Sequence, residues 1–473
     1  MAVFFKPADG WAGDFIPFHG NDVFHLFYLK DYRDPAGHGQ GTPWLHLSTS
    51  DLTTFADHGE ALARGAVGDQ DLYVFTGCVL ERDGLYHIYY TGHNPRLREQ
   101  GRPEQAVMHA TSTDLVHWIK DPANPILFAD GDRYEMHDWR DPFVFWHEAA
   151  GEYWMLLAAR VLDGPESRRG CIALVTSPDL TTWEIRDPLY TPGHYFTHEC
   201  PDLFRIGDWW YLVYSEFSEY VTRYRMSRSL AGPWIAPADD TLDGRGFYAA
   251  KTASDGARRF AFGWAPSRAE SRDDGAWQWA GNLVIHELAQ ERDGTLSVRL
   301  PAEVGRQFSL PRTITVEPRM GAWEVGDNLV ATRSVDAFAW CDLGALPDPC
   351  YLETILSFAP GTRALGLILR ADPQLGAYYQ IRLEPARNRI VFDRWPRLGG
   401  NPFIIERPVN LTAGQPISLR VVMDGSIVVI YINDQVVLTS RGYDLQQGGW
   451  GMFISDGIGD FQHTRLLVHD GGD

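Results

Sequence analysis

Cysteine is scarce in this chain of 473 residues, which holds only Cys78, Cys171, Cys200, Cys341 and Cys350. The count is odd, no two form a Cys-x-x-Cys pair, and no Cys/His cluster has zinc-like spacing. Neither a disulfide framework nor a structural zinc site is expected, but free, mostly buried thiols in a reducing compartment. Long apolar runs are missing too. None approaches about 18 residues, so no membrane-spanning helix is expected. Met1 to Trp11 lacks both the basic start and the apolar core of a secretory signal, and the expected location is cytoplasmic. Positive charge is in deficit, with 42 Lys and Arg against 62 Asp and Glu, a formal charge of −20. So acidic a surface repels phosphate backbones and anionic lipid, which argues against nucleic acid and membrane as partners and for a neutral ligand. Helix-period patterns are absent from residues 1–300.

Aromatic residues are plentiful: 13% of the chain, with 17 Trp. They recur in an aromatic strand that appears at Val23–Tyr28, Leu85–Tyr90, Tyr153–Ala158, Trp209–Tyr214 and Arg259–Trp264. Each copy follows a turn signal such as Asn21-Asp22 or Asp83-Gly84, so each reads as the second arm of a hairpin. A second motif, a Ser or Thr, one residue, Asp-Leu and then an aromatic, follows the first three strands. Its copies are Thr49/Asp51/Leu52/Phe55, Ser112/Asp114/Leu115/Trp118 and Ser177/Asp179/Leu180/Trp183. A looser fourth copy is Ser227/Ser229/Leu230/Trp234. The unit recurs roughly every 50 to 65 residues, and five hairpin units imply a five-bladed β-propeller. After about residue 315 the strands alternate without the motif, as in Leu365–Arg370 and Ile427–Ile432, which suggests a C-terminal β-sandwich. The expected organisation is therefore all-β, with a propeller over 1–305 and a sandwich over 315–473. The sandwich is expected to brace the propeller rather than bind glycan.

The first arms of the hairpins carry isolated acids: Asp14 in Gly13-Asp14-Phe15, Asp141 in Arg140-Asp141-Pro142, and Glu199 in Glu199-Cys200-Pro201-Asp202. Each lies about 10 to 12 residues before its aromatic strand, which places all three at equivalent points where innermost strands converge on a central channel. Carboxylates gathered in this way suit glycoside hydrolysis. One attacks the anomeric carbon while another holds the proton that the leaving oxygen needs. Mutual repulsion is expected to raise at least one pKa, with Arg140 keeping Asp141 ionised. A lone Asp beside Gly is ordinarily a turn residue, and Arg33-Asp34-Pro35 repeats the Arg-Asp-Pro triplet in a loop. It is the shared placement that carries the reading.

At these residues the chain resembles glycoside hydrolase family 32, the invertase and fructanase family of five-bladed propellers followed by a β-sandwich. Trp11-Ala12-Gly13-Asp14 is similar to the family's Trp-x-Asn-Asp motif, Trp139-Arg140-Asp141-Pro142 to its Arg-Asp-Pro motif, and Glu199-Cys200-Pro201-Asp202 to its Glu-Cys motif. The resemblance implies Asp14 as nucleophile, Glu199 as acid/base, and Asp141 as the group that holds ring hydroxyls and stabilises the transition state. It implies a retaining, β-fructofuranosidase-like hydrolysis that releases fructose from a fructose-containing oligosaccharide. No metal or organic cofactor is required. Trp11, Trp44, Phe75, Tyr248 and Trp279 are candidate stacking platforms, and Arg140, His46 and His198 candidate hydroxyl partners. Asp202 braces its motif. The chain departs from the family where Gly13-Asp14-Phe15-Ile16-Pro17 stands for Asn-Asp-Pro-Asn-Gly, so that both Asn side chains that would touch the sugar are absent, and at His198 and Gly246. All are expected at the rim of the first sugar subsite, so the sugar contacts are expected to be rebuilt around a retained chemistry. Transfer to a sugar acceptor, an inverting arabinofuranosidase-like hydrolysis and a sugar-binding protein without turnover stay open at this point.

Overall fold

The computed structural model describes residues 2–326, 329–397 and 404–469. Five blades surround a central axis. Their innermost strands are Trp11–Gly20, Tyr73–Arg82, Tyr134–His147, Glu199–Ile206 and Tyr248–Ser254. Each pairs antiparallel with the aromatic strand that follows it, which in turn pairs with a third strand. The aromatic strands are second arms, as their sequences suggest. Their inward residues, among them Tyr28, Tyr89, Leu157, Tyr214 and Trp264, are almost fully buried between blades. The ring closes where Ala12 pairs with Gly281 and where the Leu283 amide donates to the Phe5 carbonyl.

The Asp-Leu motif is the turn that leaves the third strand. The hydroxyls of Thr49, Ser112 and Ser177 accept the amides of Leu52, Leu115 and Leu180 at 2.8–2.9 Å. The motif carboxylates accept the two amides that follow each Leu. These bonds hold three buried Leu residues at φ of 63°, 65° and 68°, a left-handed conformation that a leucine seldom adopts unaided. In blade four Ser229 replaces the Asp, which accounts for the looser sequence there.

A short helix, Ala302–Arg306, leads to Phe308–Arg312, which pairs with the long final strand Gly449–His469. Thirteen strands among the described residues form the sandwich ladder around a core that includes Leu367, Phe392, Val421 and Trp450. A separate cluster joins the two units, with Phe247 and Val284 against Val422, Val429 and Tyr431. Polar groups are buried in this seam too, and several are paired across it. The Asp243 carboxylate accepts the Thr439 amide at 2.9 Å and lies 3.1 Å from His286 Nε2, while Arg441 donates to the Ala265 and Pro266 carbonyls. The sandwich thus braces the propeller through directional bonds as well as apolar contact.

Gly281 sits at the point of ring closure with no room for a side chain: a Cβ there would lie 1.6 Å from the Ala265 carbonyl oxygen. Gly281→Ala is expected to lower stability by about 3 kcal/mol, read as a fall in Tm, whereas Ala at Gly68, which has open space and no left-handed φ, should leave Tm at or slightly above that of wild type.

Candidate active site

All five innermost strands carry a β-bulge at the same height. In blade one Gly13 pairs with Leu29 and Ile16 with Phe27, so Asp14 and Phe15 together face Tyr28. The same two-against-one count occurs at Asp141-Pro142, Cys200-Pro201 and Ala249-Ala250, while blade two inserts Thr76 alone. Four of the bulges open with a left-handed residue: Asp14 at φ 43°, Asp141 at 60°, Cys200 at 51° and Ala249 at 51°. A bulge re-aims side chains, and here it turns them into the hub. It also refines the expectation of three equivalent acids. Asp14 and Asp141 are equivalent bulge residues, but Glu199 stands one position earlier, level with Gly13, Phe75, Arg140 and Tyr248.

These two tiers line one cavity of about 400 Å³. Asp14, Asp141 and Glu199 all reach it, together with Phe75, Arg140, Tyr248 and Trp279. The other candidates do not. Trp44 is fully buried and donates from Nε1 to the Phe75 carbonyl at 3.1 Å, so it supports the wall from behind. His46 is sealed between Phe27 and His58, with ring centroids at 4.3 and 4.5 Å. His198 is fully buried among Tyr190, Tyr195 and Tyr214, because residues before the bulge alternate between hub and blade interior. Trp11 stands outside the cavity, its ring flanked by Lys6 Nζ at 4.5 Å and the Arg33 guanidinium at 4.6 Å. Gly246 is no rim residue either: a Cβ would meet the Thr439 carbonyl oxygen at 2.0 Å, so the sandwich backbone demands glycine there. Ile16 is buried in the propeller core, so of these departures only Gly13 concerns the site. A Cβ on it would lie 2.7 Å from the Trp279 ring, which occupies the space that a side chain would fill.

Asp31, Thr42 and Tyr73 line the cavity without having been expected from sequence. The signal was the hairpin register. A second strand runs back to the end where the acids begin, so Asp31, paired with Trp11, had to lie at the mouth.

Every carboxylate is specifically held. Asp14 accepts from Thr76 Oγ1 at 2.7 Å and from Trp264 Nε1 at 3.1 Å. Asp141 accepts the Cys200 amide at 2.8 Å. Glu199 accepts from Arg140 Nη2 at 3.1 Å and from the Tyr248 hydroxyl at 2.6 Å. Arg140 also bonds Asp138 at 2.9 Å and stands 3.8 Å from Asp141, so it serves Glu199 and Asp138 more closely than its sequence neighbour. Burial, more than repulsion from Asp141 and Glu199, pushes the Asp14 carboxyl up to about 7, against the pull of Thr76 and Trp264. Burial also raises Glu199, and the Arg140 charge opposes the rise. Two acids placed where their protonation states can differ are what acid/base-assisted displacement at a sugar requires.

A five-bladed propeller with three carboxylates in one hub cavity defines a glycoside hydrolase in form. The chain belongs to glycosyl hydrolase family 32: residues 4–297 match the family's N-terminal domain and residues 332–466 its C-terminal domain. It is 29% identical to the raffinose invertase of Escherichia coli over 92% of this chain and 88% of that one. It is 26% identical to the Escherichia coli sucrose-6-phosphate hydrolase over 97% and 93%. The fold matches sucrose-6-phosphate hydrolase from Lactobacillus gasseri at a TM-score of 0.75 and 20% identity, covering 99% of this chain and 93% of that one. Exo-inulinase from Aspergillus awamori matches at 0.75 and 18%, covering 98% and 97%. The protein is an enzyme of the fructofuranosidase type. Among the described residues no helix is long and apolar enough to cross a membrane.

Proposed function

We propose that the protein releases fructose from a neutral fructose-containing oligosaccharide, in the manner of the invertases it resembles, by a retaining double displacement. The observation that carries this is the convergence of Asp14, Asp141 and Glu199 on one cavity with distinct partners for each. Asp14 attacks the anomeric carbon, and the leaving oxygen takes the Glu199 proton. Water, deprotonated by Glu199, then breaks the fructosyl–Asp14 ester and restores both groups. Asp141 is fixed by the Cys200 amide and offsets the positive charge that develops on the ring. Trp279, Phe75 and Tyr248 form the walls against which the furanose rests.

The stereochemistry of transfer tests this directly. With methanol as acceptor, the expected product from sucrose is methyl β-D-fructofuranoside, identified by NMR. The α anomer as first product would refute the double displacement.

The Thr76 bond sets a pH dependence. Its hydroxyl stabilises ionised Asp14, so removing it raises the carboxyl further. Thr76→Val is expected to shift the acid limb of kcat/KM upward by about one pH unit, the worth of one hydrogen bond to a charged group. Rate measurements from pH 4 to 9 would show it, with the alkaline limb moving less.

A further inference from the structure

The hub cavity accounts for the fructosyl half of a substrate but not for the group that leaves. That group must pass beside Glu199, because its oxygen has to come within hydrogen-bond reach of the acid. Glu199 pairs with Ser215 near the end of the second strand of blade four, so the turn that follows, residues 217–220, lies just beyond the Glu199 end of that strand pair. Tyr220 on this turn stacks on Tyr248 at 4.5 Å and 22°, and Tyr248 bonds Glu199. Phe217, on the same turn, is 43% exposed and meets Phe196 at 5.8 Å. Phe196 lies three residues before Glu199 and is backed by the Arg160 guanidinium, 3.6 Å from its ring. An exposed phenylalanine on a tight turn, supported by a second ring with a cation behind it, makes a platform of the kind that binds the apolar face of a pyranose.

Most of the cationic charge around this platform is already paired. Arg160 and Arg169 pair with Glu135 at 2.8 and 2.9 Å, Arg140 pairs with Asp138, and Arg223 pairs with Asp240 and Glu219. Exposed Arg168 donates to the Gly193 and His194 carbonyls rather than to a carboxylate. A phosphate on the leaving sugar would have to draw Arg168 off those carbonyls, break one of the ion pairs, or lie against the carboxylates that make them.

Resting on the hydrolytic reading above, we infer that Phe217, with Phe196 behind it, is the specificity-determining platform for an uncharged leaving sugar, and that the site selects neutral fructosides over those phosphorylated on the leaving sugar. The test compares kcat/KM for sucrose, for sucrose phosphorylated on the glucose 6-hydroxyl, and for methyl β-D-fructofuranoside, whose leaving group is too small to reach the platform. Wild type is expected to prefer sucrose over its phosphate at least about tenfold. In Phe217→Ala the ratio of sucrose to methyl fructoside is expected to fall about tenfold, and in Phe217→Trp to recover. Equal or better turnover of the phosphate overturns the selectivity, and an unchanged ratio in Phe217→Ala overturns the platform. A wild type that turns over none of the three overturns the hydrolytic reading itself, and the inference with it.

Discussion

Asp14→Asn is expected to abolish turnover, by about 10⁴-fold or more in kcat, and at the same time to raise Tm at pH 8. The first effect follows from the proposed role of Asp14 as the nucleophile that forms the glycosyl ester, and loss of a nucleophile in a concerted site costs at least this much. The second follows from burial. The folded-state carboxyl sits at about 7, well above its ordinary value near 3.8. A raised acid favours the fold below its unfolded pKa, and that advantage is lost as pH climbs through the folded value. At pH 8 wild type therefore carries a buried charge that the amide does not, a difference on the order of 2 kcal/mol once water in the open cavity is allowed for. The stabilisation should vanish near pH 4, where both forms are neutral. The substituted amide can still accept from Trp264 through its oxygen, and the Thr76 hydroxyl can rotate to accept from its nitrogen, so no donor is stranded. Thermal melts at pH 4 and pH 8 read the sign. Residual turnover near wild type would remove Asp14 from the chemistry.

Glu199→Gln should separate the two steps. The variant cannot protonate the leaving oxygen, so sucrose hydrolysis should fall by about 10³-fold, within the usual worth of a general acid. A p-nitrophenyl β-fructofuranoside departs without help, and its first step should be far less affected. Deglycosylation still lacks a base, so a burst of nitrophenol followed by a slow steady state is expected. Azide, which needs no deprotonation, should restore the steady state. Arg140 would keep a hydrogen bond to the amide oxygen, and the Tyr248 hydroxyl would turn to accept from the amide nitrogen, so the fold around the site should hold. A uniform loss on both substrates, with neither burst nor rescue, would mean that Glu199 positions rather than transfers the proton.

Much of this was legible in the sequence, and the reasons for the remainder are local. Turn signals before the aromatic strands reported the hairpins because Asn, Asp and Gly supply the left-handed positions that tight turns need. The Asp-Leu motif recurred because the same hydrogen bonds solve the same strained corner three times. The acids were found because all three sit on first arms of hairpins, about 10 to 12 residues before an aromatic strand. The bulges were not legible. They insert one residue without any residue type that announces it, so the distance count could not show that Glu199 is one place out of step with Asp14 and Asp141. For the same reason His198, next to Glu199, was expected at the hub although alternation turns it into the blade interior. Trp44 and His46 misled because strands of a propeller are buried on both faces, and an aromatic there has more ways to be core than to be surface. Gly246 could be understood only from the other unit, since it is the Thr439 backbone that excludes a side chain.

The cooperation of three hub carboxylates can be observed as a covalent adduct. Glu199→Gln, quenched in acid during turnover of p-nitrophenyl β-fructofuranoside and digested, should yield the peptide that spans Trp11 to Gly20 heavier by one fructosyl residue, with fragmentation placing the mass on Asp14. An unmodified peptide under burst conditions, or a fructosyl group found on Asp141, would contradict the account.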